Sequence, residues 1–184
     1  TLEPSSAASD VYKRQVKFDY FVCLLGGIFK LSNNKPPMIA NAEIPLKYNY
    51  FGQEITRFAK FHQLTNFKMN PHFPVISLQI IRGAVAAEMD GYLEDYIDKV
   101  LVHMWEEPKK MDDPEVIKSA FEESGLDAEK LISQMQDADV KAKLIANTEA
   151  AAERGVFGIP TFFVGEEMYF GKDNLWQVEE KLSE

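Results

Sequence analysis

Few residues of this chain are of types that do chemistry at neutral pH: one cysteine, Cys23, and three histidines, His62, His72 and His103. Cys23 carries a potential nucleophile, but it has no Cys-x-x-Cys partner and no nearby histidine. It sits in the apolar run Val22-Cys23-Leu24-Leu25, and a thiol in apolar surroundings stays protonated and inert. A core cysteine is therefore expected. The histidines are scattered and lack the His-Glu-x-x-His spacing that would gather metal ligands on one helix face. His103 continues the stripe Tyr96, Val100 beside Met104, which places it in packing or at a helix edge. Gly26-Gly27 lacks the further glycines and the lysine of a phosphate-cradling loop.

The remaining chemistry belongs to the main chain. In Gly155-Val156-Phe157-Gly158-Ile159-Pro160-Thr161-Phe162-Phe163-Val164, a glycine-bounded loop becomes a β-branched and aromatic strand at an Ile-Pro bond. Proline donates nothing to a sheet ladder, so it belongs at a strand's first residue or on an edge. A cis bond, cheap only before proline, would turn the N–H and C=O of Ile159 outward, ready to take an extended peptide by strand addition. A trans proline that merely opens an edge strand fits the local sequence as well.

The elements that must position this loop follow from periodicity and punctuation. Val16 to Leu25 reads as a strand ended by Gly26-Gly27, and Ile28 to Asn49 as a loop with at most a short helical turn. Tyr50 to Leu64 places Ile55, Phe58, Ala59 and Leu64 on one helix face. Ile76 to Glu107 holds two helices, the first ending at Gly91. Pro114 opens another, which runs to Ser124-Gly125, and Asp127 to Met135 forms a short one. The acidic pairs Asp112-Asp113 and Glu122-Glu123 read as solvated helix ends. An alanine-rich helix from Val140 ends at Gly155 as an αL cap. Two strands joined across Gly165-Glu166-Glu167, and a helix from Asp173, complete the chain. Strands and helices do not alternate, so a small sheet with an inserted helical subdomain fits better than a doubly wound sheet.

Composition sets the outer limits. A length of 184 residues with 46% hydrophobic and 27% charged residues suits a globular domain with a full core. A net charge of -9 argues against a nucleic-acid partner, which needs clustered cations. No apolar run approaches the roughly 20 residues that span a bilayer, so no membrane partner is expected. One cysteine forms no internal disulfide, which favours a reducing, cytoplasmic setting. Residues 1–15 are small, polar and aperiodic, a disordered leader or foreign sequence.

Two separated stretches carry a family resemblance. Glu153 to Phe162 with Phe170-Gly171-Lys172-Asp173-Asn174-Leu175, and Leu24 to Lys30 with Asn34-Lys35-Pro36-Pro37 upstream, resemble DsbA-like thioredoxin folds. The likeness is closest to 2-hydroxychromene-2-carboxylate isomerases and kappa-class glutathione transferases. It implies an α/β, thioredoxin-like small sheet with an inserted helical subdomain: residues 16–49 and 155–184 form the thioredoxin part and 50–154 mainly the insertion. In that family one strand and one helix precede the segment starting at Val16. Their turn carries the reactive serine, or a Cys-x-x-Cys in the oxidoreductases. That unit is read as absent, so no catalytic residue is assigned, and Ser5 and Ser6 match no family motif.

The resemblance also implies glutathione as cofactor. Ile159 and Pro160 match the proline position whose preceding main chain pairs with the cysteinyl unit, and Asp173 an acid that holds the γ-glutamyl amine. Lys172 stands where relatives have a small or polar residue, and Asn34 matches an asparagine that contacts glutathione. Asp173 and Asn174 are also readable as helix caps, with Asn174-x-x-Gln177 as a capping box, and Asn34 as a turn residue. Lys47 is a candidate for a substrate or glycyl carboxylate, against a plain solvated lysine. The implied activity is a glutathione-dependent isomerase acting on an aromatic or quinone-like small molecule, with a homodimer possible. A DsbA-like thiol–disulfide oxidoreductase, or an inactive fragment that keeps a binding groove, is the alternative.

Overall fold

The computed structural model describes residues 17–183. The leader at 1–15, with Ser5 and Ser6, and Val16 lie outside them. Of the described residues, one compact unit takes 17–21, Leu25–Thr65 and 151–183, and a second takes Val22–Leu24 and Asn66–Ala150.

In chain order the first elements are helices: α1 (Leu25–Leu31), α2 (Pro37–Ala40) and α3 (Pro45–Phe61). Pro37 and Pro45 each stand at the start of their helix, where the missing N–H is unpaired in any case. Then come α4 (Leu78–Met89), α5 (Leu93–Trp105), α6 (Pro114–Glu123), α7 (Ala128–Gln134) and α8 (Ala138–Glu153). The Asp113 carboxylate accepts from Glu115 N–H at 3.1 Å and Asp127 from Lys130 N–H at 3.0 Å, and these bonds fix where α6 and α7 begin. Two strands follow, β1 (Thr161–Val164) and β2 (Glu167–Phe170), then a 3-10 turn at Lys172–Asn174 and α9 (Leu175–Lys181).

The second unit is helical. α4 packs against α5 and α7, and α6 against α5 and α7. Val85, Tyr96, Met111, Phe121 and Leu131 fill its core. Each fully buried side chain of this kind contributes about 1.5–3 kcal/mol. Tyr96 keeps its hydroxyl satisfied there, donating to Ile80 O at 2.7 Å. The first unit holds the antiparallel hairpin, paired from Thr161↔Phe170 to Val164↔Glu167, so the loop is Gly165-Glu166 alone. A lone hairpin is marginal in water. α9 packs on both strands and buries Val178.

Two expectations at the front of the chain are corrected. Residues 17–24 have no regular secondary structure, and among the described residues they pair with no strand. A strand exists only where a neighbour takes its N–H and C=O groups. Here side chains of α8 take two of them instead. Asn147 Nδ2 donates to Val22 O at 3.0 Å, and Leu24 N–H donates to the Thr148 hydroxyl at 3.0 Å. That hydroxyl in turn donates to Leu144 O at 2.6 Å. The second correction is that Gly26 and Gly27 lie inside α1 rather than ending a strand, and the stretch read as loop also holds α2 and the start of α3. Two glycines cost a helix about 1 kcal/mol each. The complete burial of Ile28 on the same turn offsets that cost.

Candidate functional site

The loop between α8 and β1 is built from its glycines outward. Gly155 has φ +93°, a conformation open to glycine at little cost, and its N–H donates to Ala152 O at 2.9 Å, which stops α8. Gly158 permits a close approach, because a Cβ there would lie 2.8 Å from the Phe170 ring. That ring packs on Phe157 with centroids 4.6 Å apart. The Thr161 hydroxyl closes the turn by donating to Gly158 O at 2.7 Å.

The Ile159–Pro160 peptide is cis. Gly171 N–H donates to Pro160 O at 2.9 Å, which continues the hairpin's alternation by one step. The carbonyl of Pro160 thus faces β2. Ile159 is 44% exposed, and among the described residues its N–H and C=O have no hydrogen-bond partner. Asn34, which follows the αL residue Asn33 (φ 53°), braces this loop. Its Nδ2 donates to Phe157 O at 2.8 Å, and its Oδ1 accepts from Lys35 N–H at 2.8 Å.

One residue beyond Gly171, the Lys172 ammonium donates to Glu54 Oε1 at 2.5 Å and to Asp173 Oδ1 at 2.6 Å. It also lies 4.5 Å from the centre of the Phe58 ring. Desolvation opposes the charge on Lys172, yet the bonds to Asp173 and Glu54 win and hold its pKa above the usual lysine value. Asp173 remains open, its side chain 73% exposed. Asn174 does not form the expected capping box. Its side chain donates to Phe170 O at 2.6 Å, and α9 has no side-chain cap.

The structure therefore gathers Asn34, Ile159 and Pro160 around one loop and joins Lys172 and Asp173 to it through Gly171. Lys47 is exposed on α3, without a side-chain partner among the described residues. It shares a helix face with Glu54 and Phe58 (i, i+7, i+11), two turns or about 10 Å along the axis from Glu54. Cys23 is half-buried rather than fully buried, and burial pushes its thiol up, away from reactivity. His103 is buried, its Nε2 2.7 Å from the Ser124 hydroxyl.

The sequence reading missed Glu54, Phe157 and Phe170. Glu54 lies 118 residues from the lysine it holds, and nothing local marks it. The aromatic pair had a signal, because Phe157 and Phe170 flank Gly158 and Gly171 at matching ends of the hairpin.

A short antiparallel hairpin that follows a cis-proline, with α9 packed on both strands, is the ending of a thioredoxin-like fold. A family model, the DSBA-like thioredoxin domain, matches residues 4–183, and the chain belongs to that family. Among characterised proteins it is 27% identical to glutathione S-transferase kappa 1 of Rattus norvegicus, over 87% of this chain and 75% of that protein. It is 24% identical to 2-hydroxychromene-2-carboxylate isomerase of Pseudomonas putida, over 78% of this chain and 69% of the relative. A solved structure of a selenomethionine 2-hydroxychromene-2-carboxylate isomerase superposes with TM-score 0.79 at 23% identity, covering 98% of this chain and 89% of the other. That superposition bears on the fold, the DsbA-like thioredoxin architecture. Among the described residues no helix is long and apolar enough to cross a membrane.

Proposed function

We propose that the protein is a glutathione-dependent isomerase of the 2-hydroxychromene-2-carboxylate type, acting on an aromatic or quinone-like small molecule. The observation that carries this reading is the main chain of Ile159, which has no hydrogen-bond partner among the described residues and belongs to a residue that is 44% exposed. An extended tripeptide satisfies such an edge by the two bonds of strand addition, and any side chain at 159 serves. The neighbouring groups fit the rest of glutathione. Asp173 offers an open carboxylate to the γ-glutamyl amine, and Lys172 and Lys47 offer cations to carboxylates. When bound, glutathione supplies the thiolate nucleophile. The protein's own share is to hold the tripeptide in register along the edge before β1, while Asn34 fixes the loop through Phe157 O. Cys23 takes no part, because burial favours its thiol form. A single cysteine also suits a reducing, cytoplasmic compartment.

Calorimetric titration with reduced glutathione, paired with a thermal-shift series, tests the reading. Saturable heat is expected, with stabilisation of about 2.7 kcal/mol once the ligand reaches a hundred times its dissociation constant. An absence of both heat and shift would overturn it. Conversion of 2-hydroxychromene-2-carboxylate that requires glutathione then tests the reaction itself.

A further inference from the structure

Independently of the glutathione reading, we propose that the outer edge of β1 is a docking surface for the same edge of a second copy of this chain, joining two hairpins into one four-stranded antiparallel sheet. Hydrogen-bonded and non-hydrogen-bonded pairs alternate along an antiparallel ladder. Gly171 N–H donates to Pro160 O, so in the hairpin's register Phe162 and Val164 turn their main-chain groups toward β2. Thr161 and Phe163 turn theirs away from it. Among the described residues the N–H and C=O of Thr161 and Phe163 have no hydrogen-bond partner, and all four residues of β1 are half-buried rather than buried. An open edge is a template for another strand, and monomeric proteins blunt theirs with charges or bulges. Thr161-Phe162-Phe163-Val164 holds no charged residue.

The pattern of this edge is its own complement, which singles out a second copy over other extended chains. A two-fold axis through Phe162 sets Thr161 opposite Phe163 of the second copy, and Phe163 opposite Thr161, and each pair exchanges both of its N–H···O bonds. Phe162 then faces Phe162 of the second copy in the pair between them, an aromatic cross-strand contact with no like charges opposed. Pro160, which lacks an N–H, and Gly165, at φ +60°, close the edge at its two ends. The strand left between them matches in length the same strand of a second copy, whereas a longer peptide overruns it. A two-stranded hairpin is marginal in water, and this pairing supplies the further strands that each copy's hairpin lacks. Ile159 lies beyond the paired residues, so its main chain stays available.

Sedimentation over a concentration series, with the full chain, is expected to show a reversible species of twice the chain mass. Phe163→Pro removes the outward N–H without touching a bond to β2, and it should weaken that dimer at least about tenfold. Cysteine cross-linking reads the register, in a Cys23→Ser background because Cys23 is the chain's only cysteine. Phe162→Cys places two thiols in a non-hydrogen-bonded pair, with Cα atoms about 4.5 Å apart, within reach of a disulfide. Val164→Cys leaves its two thiols four residues out of step, roughly 13 Å apart, and out of reach. Under a mild oxidant the first should therefore link at least about tenfold faster than the second. A chain that stays monomeric at every concentration, a dimer indifferent to Phe163→Pro, or equal linking at both positions would overturn the proposal. If Phe163→Pro does not fold, the two cysteine variants decide it; if Phe162→Cys does not fold, sedimentation of wild type against Phe163→Pro does. Glutathione binding has no bearing on any of these outcomes, so the two readings stand or fall separately.

Discussion

Replacing Gly158 by alanine probes the loop at its tightest point. The backbone there is not left-handed, so alanine meets no φ penalty, and the only obstacle is the Phe170 ring, with Cε2 2.8 Å and Cζ 3.2 Å from the new methyl. Carbon atoms do not approach so closely, and the ring must swing away. It is already 39% exposed and has a path toward solvent, but leaving forfeits its 4.6 Å packing on Phe157. An aromatic pair contributes about 0.5–1.5 kcal/mol beyond its buried area. With the exposed ring area added, the total falls in the usual overpacking range of about 1–3 kcal/mol. For a chain of this length, 1 kcal/mol moves the melting temperature by about 2–4 °C, so a loss of roughly 2–12 °C is expected by calorimetric melting. The decisive arm is the same substitution made in Phe170→Ala. With the ring gone, alanine at 158 should become neutral or stabilising by about 0.4–1 kcal/mol, through reduced freedom of the unfolded chain. A destabilisation of equal size in both backgrounds would refute the ring as its cause.

Two further outcomes follow from polar groups in the helical unit. Thr148→Val preserves shape but leaves Leu24 N–H without its acceptor, so urea denaturation should show a loss of about 1–3 kcal/mol, and no loss would refute the tether. His103 is held below the ordinary histidine range by burial, with the Lys109 cation adding to it. Among the described residues its Nδ1 has no hydrogen-bond partner, and the charged ring would need acceptors at both nitrogens. Because the folded value lies below the unfolded one, near 6.5, its contribution is complete above the unfolded value and is lost as pH falls toward the folded one. The urea midpoint should therefore drop on acidification from about pH 7.5 to about pH 5.5, and His103→Asn should flatten that part of the profile. An unchanged slope in the variant would assign the effect to other groups.

What the sequence revealed and what it hid divide along the range of the interactions. Helix starts at Pro114 and Asp127, the stop at Gly155, the hairpin after Pro160 and the terminal helix are local signals, and the structure repeats them with shifts of a few residues. The strand expected at the front was judged from side chains alone. β-branched and aromatic residues make a segment extended, but whether it becomes a strand depends on a neighbour's main chain. At Val22 and Leu24 that neighbour is a helix with polar side chains. The buried stripe of α8 (Val140, Leu144, Asn147, Thr148, Ala151) shows where a reader could have looked: two hydrogen-bonding residues on an otherwise apolar face require partners. At the candidate site, Ile159 stood out because proline punctuates the sequence, and Asp173 stood out through the family resemblance. Glu54 did not, since an ion pair across 118 residues leaves no local trace.

The tether between α8 and the segment before α1 implies an uneven tolerance to change. Only the main chain of Val22 and Leu24 enters it, so apolar exchanges at those two positions leave its hydrogen bonds intact and are judged by fit alone. Asn147 and Thr148 have no such latitude, because each gives a specific side-chain atom to a specific peptide group. A library randomised at all four positions should thus return many sequences at 22 and 24 and very few at 147 and 148.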